Sequence, residues 1–408
     1  MKVTILPSII KGELEAPKSK SIAIRILFGS LINDVLLKEE IPKSDDVIYA
    51  YRSILKMGVL HEENKLKKPN SISLNNFFYV GGSGTVARIL SGLAIILGGE
   101  TVIDGDQSLR NRPFDGLLKI SKLTDSEVSS NRLPIKVKSK GKVNYIELPE
   151  LESSQYVSGI IYGMALNDGG IIKMKEKIPS LYYIMLTIDL LNKMGCDIKL
   201  EENEIHIGKC TKNAYETSFP GDYLLSSFYA VSSLLTGGLT IIKGLYELPK
   251  YNGDHDIVKI LNYANIKSEV KGDKWIVYGN EINGEINVDV ENTPDMAMSL
   301  APLGTKLKIE INGIRRLRIK ESDRILSIKD TLEKFGNNVK IYDNKIIINP
   351  GKLKMAEINC NNDHRVAMMA ASISFIKGGI INNAECINKS DPMHWERYKK
   401  LGGEMKIE

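Results

Sequence analysis

The chain has 408 residues, 43% hydrophobic and 26% charged, enough apolar material for roughly two to three domains. Its 55 basic and 50 acidic residues leave a formal net charge of +5, too mild for a nucleic-acid footprint and suited to a local pocket for small anions. Four cysteines (Cys196, Cys210, Cys360, Cys386) show no CxxC or framework spacing and are expected to be reduced thiols, and five scattered histidines carry no metal-binding pattern.

The opening Met1-Lys2-Val3-Thr4-Ile5-Leu6-Pro7 is too short an apolar run for an export signal. No uninterrupted apolar run approaches the ~20 residues needed to span a bilayer. A soluble, cytoplasmic protein is expected, with no membrane and no nucleic-acid partner.

The first organised element starts at Pro17-Lys18-Ser19-Lys20-Ser21. A run over 22–32 follows, apolar except for Arg25, and Asn33-Asp34 stops it. Pro and Ser before an apolar run predict a helix start, and Val35-Leu36-Leu37 predicts the next strand. The same design recurs at 86–99 before Thr101-Val102-Ile103, at 157–170 before Ile171-Ile172, and at 224–238 before Leu239-Thr240-Ile241. It appears again at 295–304 before Leu307-Lys308-Ile309 and at 366–379 before Ile380-Ile381. These six copies lie roughly 65 to 70 residues apart, the size of one supersecondary unit.

The first five copies continue with a second, more amphipathic helix and a strand pair. The clearest cases are 183–194 with 196–200 and 204–207, and 325–335 with 339–341 and 345–348, the latter turned by Asp343-Asn344. The last copy ends the chain with a single strand, Met405-Lys406-Ile407, so Val3-Thr4-Ile5 is expected to complete it from the other end. A helix apolar nearly all round belongs inside its domain. The expected fold is therefore α/β, with parallel helices buried and sheets outside.

Aligned helix N-termini offer unpaired N–H groups and partial positive charge to anions. The starts read Lys18-Ser19-Lys20-Ser21 with Arg25; Gly81-Gly82-Ser83-Gly84-Thr85 with Arg88; Ser153-Ser154-Gln155; Gly221-Asp222; Pro294-Asp295; and Asn361-Asn362-Asp363-His364-Arg365. Any one alone is an ordinary N-cap; six together, with cations and a glycine loop, predict anion binding. Lys20 opposes the macrodipole at a helix start unless an anion compensates it. Gly84 permits close backbone approach to a phosphate. Arg110-Asn111-Arg112-Pro113 suits carboxylate or phosphate recognition. The run 315–324 holds five cations with Glu321 and Asp323 at the start of a second helix. A carboxylate fixed among cations there stays charged and exchanges protons only with a well-placed substrate.

Lys20-Ser21-x-x-x-Arg25, Gly84-Thr85-x-x-Arg88, Arg112-Pro113, Ser153-Ser154-Gln155, Pro294-Asp295, Lys320-Glu321-Ser322-Asp323-Arg324 and Asn362-Asp363-His364-Arg365, in that order, resemble the EPSP synthase (3-phosphoshikimate 1-carboxyvinyltransferase) family over nearly the whole chain. The resemblance implies a two-domain inside-out α/β fold of six βαβαββ-type units, three per domain. One domain would be 19–217 and the other 1–18 with 218–408, with the active site in the cleft between them. It implies transfer of the enolpyruvyl group of phosphoenolpyruvate to the 5-hydroxyl of shikimate 3-phosphate in the shikimate pathway, with no metal, no cofactor and a monomeric enzyme.

By the same resemblance, Ser21, Arg25, Ser153, Ser154, Gln155, Ser180, Tyr183 and Lys320 bind shikimate 3-phosphate. Lys20, Gly84, Arg112, Gln155, Arg324, Arg365 and Lys389 bind phosphoenolpyruvate, with Lys20 also reaching the other substrate. Asp295 is implied as the base for the 5-hydroxyl and a ligand of that substrate; Glu321 is implied to handle the methylene proton, and Lys20 to assist phosphate departure. Competition between glyphosate and phosphoenolpyruvate follows as an expectation. Gly82, Arg316-Leu317 and Tyr223-Leu224-Leu225 depart from the family's usual residues without removing a proposed catalytic group, and Asp222 is left outside the catalytic set. The related transferase that acts on UDP-N-acetylglucosamine usually carries a cysteine in the loop matching 105–113, where this chain has none. A non-catalytic sugar-phosphate binder would have no need of both Asp295 and Glu321.

Overall fold

The computed structural model describes residues 1–175, 180–211, 214–249, 251–263, 266–279, 282 and 284–408. The repeat appears as six four-stranded sheets, and in each copy one apolar helix leads into the inner strand of the parallel pair. All six share one order: a parallel pair, then an antiparallel third strand, then an antiparallel edge strand. Val35–Leu37, Gly99–Asp104, Gly170–Met174, Leu239–Lys243, Lys308–Asn312 and Gly379–Asn382 hold the same inner position in their sheets.

Three sheets borrow a strand from a distant part of the chain. Lys2–Ile5 lies antiparallel between Gly379–Asn382 and Met405–Ile407, with Val3 opposite both Ile381 and Ile407, as the missing last strand predicted. Gly12–Glu15 runs parallel to Leu239–Lys243, and Tyr215–Thr217 parallel to Val35–Leu37. These pairings tie early and late segments into the same hydrogen-bonded sheets. The chain divides into two compact units, Met1–Ser19 with Pro220–Glu408, and Lys20–Phe219.

In the Lys20–Phe219 unit the helices Lys20–Gly29, Gly84–Leu97 and Gln155–Leu166 form the core. The latter two approach so closely that a Cβ on Gly92 would stand 2.7 Å from the Tyr156 carbonyl oxygen, and one on Gly159 would overlap the Ile89 carbonyl. Only glycine allows this backbone contact. The first helix ends at Gly29, five residues before Asp34. Residues 30–32 form a turn, and the Asn33 side chain donates to the Met194 and Thr211 carbonyls instead of continuing the helix.

In the other unit, Tyr223–Thr236 is buried at every position from 223 to 235, and His364–Lys377 packs beside it. The fifth helix is shorter than its sequence suggests. It is α-helical only over Met296–Leu300 and continues as a 3-10 helix over Ala301–Thr305. Pro302 lacks an amide donor and cannot extend the α-helical ladder. In the core Tyr229 donates to Asp391 at 2.6 Å, and Asp391 also pairs with the partly exposed Arg397.

The expectation of four reduced thiols is corrected at one pair. Cys196 and Cys210 are joined in a disulfide, while Cys360 and Cys386 are free. The bonded pair stands directly opposite on the antiparallel strands Cys196–Glu201 and Glu204–Cys210. Register, which a fourteen-residue separation does not reveal as a motif, brings them together. Among the described residues, no helix is long and apolar enough to cross a membrane.

Candidate active site

The Lys20–Phe219 unit contributes three groups of polar side chains. Lys20 begins its helix, and its ammonium is paired with Asp46 at 2.9 Å, both side chains largely buried. Asp46, on the helix Asp45–Lys56, is not among the candidate residues named from the sequence. It offsets the lysine against the helix dipole and holds the ammonium in place.

Arg25 is the second centre. It is 1% exposed and donates to the Thr187 hydroxyl at 2.9 Å, the Ser21 carbonyl at 2.9 Å, the Tyr183 carbonyl at 2.9 Å and the Ser158 hydroxyl at 3.4 Å. Its guanidinium lies 5.6 Å from the Tyr183 ring centroid. These four oxygens are neutral and orient the guanidinium. Ser21, Arg25 and Tyr183 are thus brought together. Ser180 is buried in the left-handed region, φ 60°, immediately before the helix Leu181–Lys193 that carries Tyr183.

The third group surrounds Gly84. Ser83 caps the helix Gly84–Leu97 by accepting from the Val86 amide. A Cβ at Gly84 would lie 2.8 Å from Arg88 Nη1 and 3.3 Å from Arg112 Nη1, so the glycine leaves room for Arg112 beside the helix end. Arg88 donates to the Gly84 and Pro113 carbonyls at 3.5 and 3.3 Å and stacks 4.7 Å from the Phe114 ring centroid. It ties the two loops into one rim, a role invisible in its sequence position. Gln155 donates to the Thr85 hydroxyl at 2.8 Å, joining this rim to the helix that starts behind Ser153 and Ser154. Ser153 in turn bonds the Gln155 amide and side chain at 3.3 Å.

The unit of Met1–Ser19 and Pro220–Glu408 contributes one charged cluster around Arg324, which is fully buried at the first residue of the helix Arg324–Lys334. Arg324 donates to Asp295 at 2.6 Å, to Glu321 at 2.8 Å, and to both Asp363 oxygens at 2.9 and 3.1 Å. Lys320 reaches the same Asp295 oxygen at 2.9 Å, and Lys389, at the end of the Ala384–Lys389 turn, pairs with Glu321 at 3.2 Å. Asp363 also accepts from the Ser322 hydroxyl at 2.9 Å and caps His364–Lys377 through the Arg365 amide. The sequence marks Asp363 only as a cap; its grip on Arg324 depends on packing.

Arg365 is 3% exposed, with its guanidinium 5.6 Å from the Phe228 ring centroid. Among the described residues its Nε and Nη1 make no hydrogen bond, and Asp295 lies 4.0 Å off, beyond hydrogen-bond reach. A buried guanidinium with donors unspent is set to receive an anion. With Lys320, Arg324 and Lys389 it gives four cations to the three carboxylates of Asp295, Glu321 and Asp363.

These charges act on one another. Burial alone would raise the Asp295 carboxyl, but Arg324, Lys320 and Arg365 outweigh it and hold it well below the usual carboxylate range. Burial pulls the Lys320 ammonium below its ordinary value, with Asp295 opposing. Burial likewise opposes charge on Arg324, yet Asp295, Asp363 and Glu321 prevail and keep it charged. Of the departures noted in sequence, Leu317 is simply core, Arg316 donates to the Glu291 carbonyl, and Asp222 caps Tyr223–Thr236 through the Leu225 amide.

The family model described as EPSP synthase (3-phosphoshikimate 1-carboxyvinyltransferase) matches residues 6–398. The chain is 42% identical over 410 residues to a protein of Sulfurisphaera tokodaii named 3-phosphoshikimate 1-carboxyvinyltransferase, and 39% identical over 415 residues to the protein of that name from Saccharolobus solfataricus. Both matches cover 100% of each partner. The solved EPSP synthase of Acinetobacter baumannii superposes over 100% of both chains with a TM-score of 0.77 at 22% identity, a likeness of fold.

Proposed function

We propose that this chain, which belongs to the EPSP synthase family, divides its proton transfers between Asp295 and Glu321. The reaction is that of 3-phosphoshikimate 1-carboxyvinyltransferase: the enolpyruvyl group of phosphoenolpyruvate passes to the 5-hydroxyl of shikimate 3-phosphate, and phosphate leaves. The observation that carries the residue assignment is the buried Arg365, whose Nε and Nη1 make no hydrogen bond among the described residues and which is the fourth cation beside three carboxylates. Such a site takes up a polyanion, and both substrates are polyanions.

In this reading Arg324, Arg365 and Lys389, with Lys20, Gly84, Arg112 and Gln155, hold phosphoenolpyruvate. Ser21, Arg25, Ser153, Ser154, Gln155, Ser180, Tyr183, Lys320 and Lys20 hold shikimate 3-phosphate, with Asp295 on its 5-hydroxyl. Arg25, held in place by the Thr187, Ser21 and Tyr183 oxygens, suits a phosphate as a planar guanidinium with several donors.

Glu321, protonated once the substrate anions draw Arg324 and Lys389 away from it, delivers that proton to the methylene carbon, leaving a cationic centre at the adjacent carbon. The 5-hydroxyl oxygen attacks that centre and gives its proton to the Asp295 carboxylate, forming a tetrahedral intermediate. The bond from carbon to the phosphate oxygen then breaks as a methyl proton returns to Glu321, and the departing phosphate takes the proton held on Asp295, so both carboxyl groups return to their starting forms. Lys20 stabilises the departing phosphate. Three cations hold Asp295 ionised and weakly basic in the free protein. Substrate anions that draw on Arg324, Arg365 and Lys320 relieve this hold and restore its basicity where the hydroxyl arrives. No covalent nucleophile is needed; the main task is holding two mutually repelling anions together.

We further propose a cytoplasmic enzyme active as a monomer, since one chain supplies every ligand named. The deciding experiment is phosphate release from phosphoenolpyruvate with shikimate 3-phosphate, beside the same assay with UDP-N-acetylglucosamine. Release with the shikimate acceptor alone supports this reading; release only with the nucleotide sugar overturns the acceptor.

A further inference from the structure

All four cysteines of this chain stand against another cysteine. Cys196 and Cys210 are bonded, and the thiol sulfurs of Cys360 and Cys386 are 3.0 Å apart. Cys360 is fully buried between the strand Ala356–Asn359 and the helix His364–Lys377, its sulfur also 2.9 Å from the Asn383 carbonyl oxygen. Cys386 is half-buried on the 3-10 turn Ala384–Lys389, where a small reagent can reach it. A bond requires the sulfurs to close only about a further 1 Å toward the usual ~2.05 Å separation.

We propose that Cys360 and Cys386 are a second disulfide site, formed by exchange with a low-molecular-weight disulfide. The Cys360 sulfur, held below the ordinary thiol range by the Cys386 hydrogen bond, takes up the Cys386 proton across 3.0 Å as the Cys386 sulfur attacks one sulfur of the reagent, which releases one thiol and leaves a mixed disulfide. The Cys360 thiolate then attacks the Cys386 sulfur, forming the protein bond and releasing the second thiol. The reagent takes both electrons, and the two cysteine protons end on the two thiols released. The bond staples the start of the helix that bears Asp363 and Arg365 to the turn that ends in Lys389. Its value in holding those ligands rests on the function proposed above; the bond itself does not.

The full chain, first reduced at these two positions, is incubated with oxidised glutathione, unfolded, alkylated and digested without reductant. A peptide pair linked through Cys360 and Cys386 is the expected product. Alkylation of both cysteines, or a glutathione left on Cys386 with Cys360 alkylated, overturns the proposal. The same oxidation should raise the unfolding midpoint by about 5–10 °C, because a loop closed between residues 26 apart restrains the unfolded chain. Cys360→Ser and Cys386→Ala should each lack that rise, so the comparison survives if either one fails to fold. An equal rise in a folded variant would also overturn the staple. Linkage is read without turnover, so an enzyme that releases no phosphate yet forms the bond would sink the functional reading and leave this one standing.

Discussion

Asp363 accepts two hydrogen bonds from Arg324 across 39 residues of sequence, at 2.9 and 3.1 Å, with both side chains fully buried. The same carboxylate caps the helix that presents Arg365. One aspartate therefore sets the positions of two cations assigned to phosphoenolpyruvate.

Replacing it exposes that dependence. Asp363→Ala should cost about 3–5 kcal/mol of stability by leaving a buried guanidinium short of a partner, with about 1 kcal/mol more from the lost cap. Urea unfolding measures the first effect. A raised KM for phosphoenolpyruvate in the fraction that folds should accompany it, whereas stability within 1 kcal/mol of wild type would show that Asp295 and Glu321 suffice for Arg324.

The low affinity of Asp295 for protons has a defined sign. Its folded pKa lies below the ordinary 3.8, so the unfolded chain binds the proton first as pH falls. The stabilisation is complete above about pH 3.8 and is lost progressively below it. Denaturant unfolding of wild type and Asp295→Asn should thus show a gap at pH 6 that narrows toward pH 3. A gap constant over that range would contradict the three-cation account of this carboxylate.

Glu321 is assigned the methylene proton. Glu321→Ala should lower kcat by about 10²–10⁴-fold, the usual range for a lost acid–base group, while shikimate 3-phosphate binding, read by calorimetry, survives. Turnover near the wild-type level would remove Glu321 from the mechanism.

Gly84 tests the loop end. An added Cβ would press on Arg88 Nη1 at 2.8 Å and Arg112 Nη1 at 3.3 Å. Gly84→Ala is expected to raise the KM for phosphoenolpyruvate several-fold and to weaken competition by glyphosate, with little change in shikimate 3-phosphate affinity. Steady-state kinetics with each substrate varied would show it; equal losses for both substrates would mean that the loop is merely disordered by the methyl group.

Much of this protein is legible along the chain. Six apolar runs ending in glycine or Asn-Asp announce the six core helices, because a helix buried all round needs no polar face and stops where the backbone must turn. The unpaired strand at Met405–Ile407 points to Val3, and residues such as Lys20, Arg25, Glu321 and Arg365 stand out because charge at an apolar helix demands a partner. What the chain order conceals is which partner. Lys20 with Asp46, Arg324 with Asp363, Arg88 bridging two loops, and the bond between Cys196 and Cys210 all depend on sheet register and helix packing. Periodicity specifies which face of an element is buried. Only the packed tertiary structure decides what that face meets, since pairing energies act through space between residues whose separation in sequence carries no period.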